Sequence, residues 1–320
     1  MLPSTLPVVL VPRPRGFCAG VIRAVDIVRL SLQKLGPPVY VRKEIVHNRH
    51  VVDELRREGA IFIDELAEAP AGATVVFSAH GVSPSVRADA ASRGMTVIDA
   101  TCPLVTKVHL EAVRYAREGY TVVLIGHREH DEVIGTLGEA PDAIQVIASA
   151  DEVDRVAAPD PSRVAYLTQT TLSVDDTREI VERLRARFPA LVGPSEQDIC
   201  YATQNRQNAL KLVASRVEVV LVVGSSNSSN SNRLVEVAAR SGTRAYLIET
   251  AADLQPSWLE GCTRIGVTAG ASTPDRLVVA VIDALRTLGH AAVEEVTIVD
   301  EGVRFALPRE LQGTNTRRSA

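Results

Sequence analysis

The chain has 320 residues, 46% of them hydrophobic and 23% charged, with a formal net charge of −4. That composition suits two or three compact domains and gives no overall attraction to nucleic acid or to an anionic membrane. No apolar run approaches the ~20 residues that cross a bilayer, and the first residues show neither the basic region nor the small-residue site of a secretory leader. Four cysteines are too few for a disulfide framework, so reduced thiols in a cytoplasmic setting are expected.

In chain order, loose first residues lead into a strand at 8–11, then PRGFCAGV and a helix over 21–35. Strands follow at 38–41, 61–63 and 74–77, a helix at 84–93 and a strand at 96–99. The segment DATCPLVTK opens a helix over 104–118, with strands at 121–126, 144–147 and 165–168 and a helix at 174–188. DICYATQNR then opens a helix over 203–215, followed by strands at 217–224, 244–249 and 264–270 and helices at 232–241 and 274–288. Late strand character appears at 296–307. Alternating strands and helices with continuously apolar strands predict an α/β fold with mostly parallel sheets, covered on both faces. The expected units are 1–101 (joined by 273–311), 102–196 and 197–272, with a disordered tail at 313–320.

Three of these openings repeat one pattern: strand end, cysteine, helix. The residues are Cys18, Cys102 and Cys200. A thiolate at a helix N-terminus gains from the helix dipole and free N–H groups. Three converging thiolates suit an iron–sulfur cluster with one iron lacking a protein ligand. The competing reading is three unrelated buried cysteines. Structural zinc is disfavoured, because it usually takes two ligands from one close C-x₂₋₄-C pair, and the chain has none. Cys262 lacks the pattern and reads as a buried apolar residue.

His47, His80 and His130 lie where strands end, the places at which α/β sheets present ligand groups. There they can hold an anion or relay protons, or simply serve as surface histidines. His109 falls on a helix face and His290 in a late loop, and neither is assigned a role. Glu132 can form a proton-donating pair with His130, with Glu129 and Asp131 as rivals on spacing alone. VVGSSNSSNSNRL (222–234) reads as a phosphate cradle ahead of a helix starting near Asn232, against the alternative of a Ser/Asn linker. GVTAGAST (266–273) is a second cradle, with Thr273 as expected N-cap and Pro274 as first helical residue. Thr168–Thr171 is a third polar cluster, placed to orient a hydroxyl. No nucleotide-binding glycine motif is present.

Taken together, PRGFCAGV, EIVHNR, FSAHGVS, DATCPLVTKVH, TQTTLSVDDT, DICYATQNRQ, NSSNSNRL and GVTAGAS closely resemble the 4-hydroxy-3-methylbut-2-enyl diphosphate reductase family, which closes the methylerythritol phosphate route to isoprenoids. The resemblance implies a trefoil of three α/β units around a central cavity. It implies a 4Fe–4S cluster on Cys18, Cys102 and Cys200, with the fourth iron open to the substrate. By the same resemblance His47, His80, His130, Ser228, Ser229, Asn230 and Ser272 would hold the diphosphate, Thr170 the substrate hydroxyl, and Glu132 would deliver protons. Isopentenyl and dimethylallyl diphosphate would be the products. A ferredoxin or flavodoxin with its NADPH-dependent reductase would be the electron source. One loop departs from the family pattern H-x-G-H-P-E-V. Here Glu129 and Asp131 replace its glycine and proline, and like-charge proximity is expected to raise the proton affinity of Glu132. Two other classes compete with this reading. A non-enzymatic iron–sulfur redox protein would not need the Ser/Asn cradle. A metal-dependent phosphohydrolase would not need the cysteines.

Overall fold

The computed structural model describes residues 7–194 and 198–312. The loose first residues and the tail at 313–320 lie outside them. The described residues form three sheets, all of whose strand pairs are parallel. One sheet contains β2 (Val39–Arg42), β3 (Ala60–Ile63), β4 (Thr74–Phe77) and β5 (Thr96–Asp99), in the order β3-β2-β4-β5. A second contains β6 (Thr121–Ile125), β7 (Ile144–Ile147) and β8 (Val164–Thr168), in the order β7-β6-β8. The third joins β9 (Val219–Val223), β10 (Arg244–Ile248) and β11 (Arg264–Ala269) to the chain ends, β1 (Val8–Arg13) and β12 (Ala292–Thr297), in the order β10-β9-β11-β1-β12. Every residue of β9 is buried, as a continuous apolar run requires when helices cover both faces.

The helices are α1 (Ala19–Leu35), α2 (Arg49–Arg57), α3 (Pro84–Ser92), α4 (Pro103–Arg117), α5 (Asp131–Leu137), α6 (Val174–Arg187), α7 (Tyr201–Ala214), α8 (Ser229–Arg240) and α9 (Asp275–Thr287). Helix α1 shows why the amphipathic reading works. Its buried residues include Val21, Ala24, Val25, Val28 and Leu32, a single stripe at helical spacing. They pack on Val39, Val41 and Ile45 beside the first sheet, and Gly36 at φ 78° ends the helix. No helix among the described residues is long and apolar enough to cross a membrane.

The sheets do not follow the expected segments one for one. β1 lies between β11 and β12, so the 1–101 segment feeds two sheets. Val9 and Val11 are fully buried against the third sheet's core, which needs a strand there to cover β11. The C-terminal segment pairs with β1 through β12 at Ala292–Thr297, mostly ahead of the expected strand character at 296–307. β12 is an edge strand with Glu294 and Glu295 exposed, so it carries no apolar run to find. α2 and α5 are not among the expected helices, being only nine and seven residues long. α8 begins at Ser229, three residues early, capped by the Ser228 hydroxyl accepting from Ser231 N. α9 begins at Asp275. Thr273 does not cap it but donates its hydroxyl to Val223 O at 2.9 Å.

Arg206 ties α7 to the loops that follow β1 and β12. It is 1% exposed and sits on α7. Its Nε and Nη2 donate to Gly16 O at 3.0 and 2.7 Å, and Nη1 donates to Ala202 O at 2.8 Å. Nη1 also lies 3.2 Å from both carboxylate oxygens of Glu301. Removing one member of a buried ion pair strands the other and costs about 3–5 kcal/mol. Arg206→Met is therefore expected to destabilise the fold on that scale. Lys211→Met, which breaks an exposed pair with Asp175, costs about 0–1 kcal/mol. Equal thermal unfolding midpoints for the two variants would refute this assignment.

Candidate active site

Cys18, Cys102 and Cys200 line one central cavity of about 110 Å³. Each is the N-cap of a helix: α1, α4 and α7 respectively. Pro103 occupies the first turn of α4 as expected. The thiols are free and close-set. A Cβ added to Gly20 would lie 2.8 Å from Cys102 Sγ and 3.8 Å from Cys18 Sγ, so glycine is what lets α1 start beside both sulfurs. Each cysteine N–H also reaches across to another loop. Cys18 N donates to Ala271 O at 3.2 Å, Cys102 N to Ala79 O at 3.0 Å, and Cys200 N to Thr170 O at 3.0 Å. A wider open cleft of about 880 Å³ lies on the outer side of the Cys18 loop. None of the three cysteines lines it, so the smaller cavity is the candidate site.

Two of the thiols, Cys102 and Cys200, are not acidified as the helix-dipole argument expects. Burial pushes Cys102 up to about 12, despite backbone N–H donors from Leu104 and Val105. Burial likewise pushes Cys200 up to about 11, against hydrogen bonds from Thr203. Desolvation outweighs the helix end. Such thiols stay protonated until a cation takes the proton's place. Three close thiols, with no fourth cysteine on the cavity wall among the described residues, suit a metal–sulfur group that keeps one position for a ligand. Cys262 is buried elsewhere, beneath the third sheet.

Glu132 lies in the first turn of α5, not in a solvated loop, and is 3% exposed. Its two oxygens accept from Thr170 N at 2.6 Å and Thr170 Oγ1 at 2.9 Å. Its proton affinity is raised to about 7 by burial, against the Thr170 hydrogen bonds and the charge of His47. The rise matches the expected direction. Its cause does not, because Glu129 and Asp131 make no contribution.

His47, His80 and His130 meet in one cluster on the same cavity wall. The His47 and His80 rings stack with centroids 4.0 Å apart, and His130 stands edge-on to them at 5.3 and 5.6 Å. His130 Nδ1 accepts from Glu132 N at 3.2 Å, which leaves Nε2 as the N–H donor. His47 Nδ1 faces Glu44 Oε2 at 3.1 Å. That contact, ahead of the Asn227 hydrogen bond, holds the Glu44 carboxyl low. Burial and the neighbouring imidazoles hold His80 well below its ordinary value and His130 down at about 3. His127 falls outside the cluster and meets Arg233 at 2.7 Å.

The Ser/Asn segment expected to form an anion cradle lines the same cavity. Ser228, Ser229, Asn230 and Ser272 all line it. Ser228 caps α8, and Asn230 Oδ1 accepts from Ala271 N at 2.8 Å. Ser272 Oγ donates to His47 O at 2.9 Å, linking the cradle to the imidazoles. Thr171 Oγ1 meets Ser229 Oγ at 2.9 Å. All twelve candidate residues therefore line one cavity. Sequence reasoning missed Glu44, Thr203 and Arg206, which support that wall. Arg206 and Thr203 sit within a quoted motif but look like ordinary helix residues. Glu44 has no pattern of its own beyond preceding His47 by three residues.

Comparison with known proteins agrees with this geometry. The model of the LytB protein family matches residues 9–286. The 4-hydroxy-3-methylbut-2-enyl diphosphate reductase of Ralstonia nicotianae is 55% identical over 304 residues, covering 95% of this chain and 94% of that protein. Reductase 2 of the same name from Mycobacterium tuberculosis H37Rv is 58% identical over 305 residues, covering 95% and 91%. Among solved structures, the E-1-hydroxy-2-methyl-but-2-enyl-4-diphosphate reductase of Plasmodium falciparum superposes with a TM-score of 0.93 at 38% identity, covering 96% of this chain and 97% of that one. A second reductase structure, described as the terminal enzyme of the non-mevalonate pathway, gives 0.63 at 33% identity, covering 88% and 100%. With matches of this extent on both sequence and structure, the chain belongs to the LytB family.

Proposed function

We propose that this chain reduces 4-hydroxy-3-methylbut-2-enyl diphosphate to isopentenyl and dimethylallyl diphosphate, with a 4Fe–4S cluster held by Cys18, Cys102 and Cys200. The observation that carries this reading is one cavity lined by three free thiols, a buried carboxyl and a cradle of imidazole, hydroxyl and amide groups. The alcohol leaves as water, and the balance requires two electrons and two protons per turnover. One proton joins the departing hydroxyl and the other joins carbon, at either end of the allylic unit. When bound, the cluster supplies the electrons and a Lewis-acidic iron with an open position. The electrons come from an external one-electron donor of the ferredoxin or flavodoxin type, recharged by an NADPH-dependent reductase.

The chain's own residues do the rest. The cradle of His47, His80, His130, Ser228, Ser229, Asn230 and Ser272 grips the diphosphate, remote from the bond that breaks. Its binding energy orients the alcohol. Glu132, whose proton affinity burial raises to about 7 and which can therefore carry a proton near neutral pH, delivers it to the leaving oxygen. Thr170 holds the Glu132 carboxyl through both its oxygens and orients the substrate hydroxyl.

Anaerobic turnover of the allylic diphosphate with a chemical reductant tests the reading directly, and its absence in cluster-loaded protein would end it. Cys18→Ser, Cys102→Ser and Cys200→Ser should each lower iron content and visible absorption, while Cys262→Ser leaves both unchanged. Glu132→Gln should cut turnover by roughly 10²–10⁴-fold with iron content and substrate affinity intact; a variant at full rate would remove Glu132 from proton delivery. A donor that must be protonated gives a rate that falls as pH rises through its proton affinity, here near 7. Thr170→Val removes a hydrogen bond that favours the carboxylate, so its alkaline limb should move to higher pH. A limb that stays put or moves down would contradict the assignment.

A further inference from the structure

Helix α5 is only seven residues long, too short to hold a fixed course by itself, yet it carries Glu132. At its start His130 caps it and Glu132 meets Thr170. At its other end the partner is His109 on α4, the helix that begins after Cys102. His109 Nδ1 lies 2.8 Å from a carboxylate oxygen of Glu139, two residues beyond α5. We propose that His109, with Glu139, is a positioning residue for the reduction: it fixes α5 against α4 and so keeps Glu132 out of water. The proposal rests on the function given above only for the use to which Glu132 is put.

Three observations point there. The first is burial. His109 is 5% exposed and Glu139 is half-buried, so their contact is shielded and stronger than a surface pair. The second is the slot that the ring occupies. Its edge lies between Gly81, which follows His80, and Gly135 on α5. A Cβ on Gly81 would come 3.2 Å from His109 Cε1 and Nε2, and one on Gly135 would come 3.3 Å from Cε1. Glycine at both places is what lets the ring reach in, so one side chain on α4 abuts the His80 turn and α5 together. The third is the choice of side chain. A carboxylate only accepts, which puts the His109 proton on Nδ1. Nε2 is then bare and buried, with no hydrogen-bond partner among the described residues. Packing alone would favour an apolar residue there, so the bond to Glu139 is what calls for histidine. Burial holds the ring below its ordinary value, against the pull of Glu139, while Arg87 and Asp99 act in opposite directions. The imidazole is therefore neutral at pH 7, with its one proton committed to Glu139.

The readout is the proton on Glu132, followed in the full cluster-loaded chain by the infrared carbonyl band that Glu132→Gln removes. The Thr170 hydrogen bonds and the charge of His47 also act on that carboxyl, and the test variants leave both residues in place. A loosened α5 admits water to Glu132, which brings its proton affinity down from about 7 toward the ordinary carboxyl value. His109→Leu and Glu139→Ala should each lower the titration midpoint by roughly one unit, and the double variant should go no lower than the larger single shift. Glu139→Gln keeps an acceptor for the Nδ1 proton and should hold the midpoint in place. Iron content and thermal unfolding report on the fold, and Glu139→Ala carries the test if His109→Leu does not fold. An unchanged midpoint in folded, iron-loaded Glu139→Ala would overturn the proposal, as would equal shifts in Glu139→Ala and Glu139→Gln. In turnover, the alkaline limb should follow the midpoint downward, a loss of roughly tenfold at pH 8. A midpoint that shifts in protein without turnover would refute only the preceding section.

Discussion

Three backbone hydrogen bonds set the geometry on which everything else depends. Each cysteine N–H is spent on the carbonyl of a different loop: Cys18 on Ala271, Cys102 on Ala79, Cys200 on Thr170. Each of those carbonyls adjoins or belongs to a cavity-lining residue, namely Ser272, His80 and Thr170 itself. No thiol can therefore move without moving part of the cradle. Arg206 adds the radial tie, holding the Gly16 carbonyl beside the Cys18 loop to the helix that starts at Cys200. Residues far apart in sequence thus meet with little reliance on the side chains that do chemistry, which stay free to bind.

The cavity's electrostatics follow from burial more than from any single partner. The Cys102 and Cys200 thiols and the Glu132 carboxyl are pushed up, and His80 and His130 are pushed down. All five shifts favour the neutral form, the general effect of removing charge from water. The wall of the cavity is thus biased toward the uncharged form at these five groups. Its polarity comes from helix ends: α1, α4, α5, α7 and α8 all begin at residues lining the cavity. Their N-termini carry partial positive charge and unpaired N–H groups. Such a wall suits anionic guests, and the thiolate ligands and diphosphate of the proposed function are anions.

The sequence carried the strand ends, the three cysteine openings and the polar cradle, because each is a local signal: an apolar run, a cap, a cluster of small residues. It carried much less of what joins them. β1 reads as the start of the first unit, since nothing in VVLV says which sheet will claim it. That choice is made by β11 and β12, more than 250 residues later. Glu44 and Arg206 act through partners distant in sequence or packed by the fold, Asn227 and Gly16, and neither leaves a periodic trace. α5 was hidden by its charge, since a run such as Arg128–Glu132 ordinarily marks a solvated loop.

That run also shows how one turn of helix separates chemistry that composition merges. Asp131 and Glu132 are adjacent carboxylates, and on spacing alone either could be the acid. Successive helical residues point about 100° apart. Once His130 caps α5, the two side chains are sent to different surroundings. Glu132 turns inward against Thr170, loses its water and holds its proton near neutrality. Asp131 stays half-buried at the rim, beside the histidine stack. The proton donor of the proposed function must be dry enough to hold its proton, and of the two only Glu132 is fully buried. Orientation and burial alone give two identical functional groups different surroundings here.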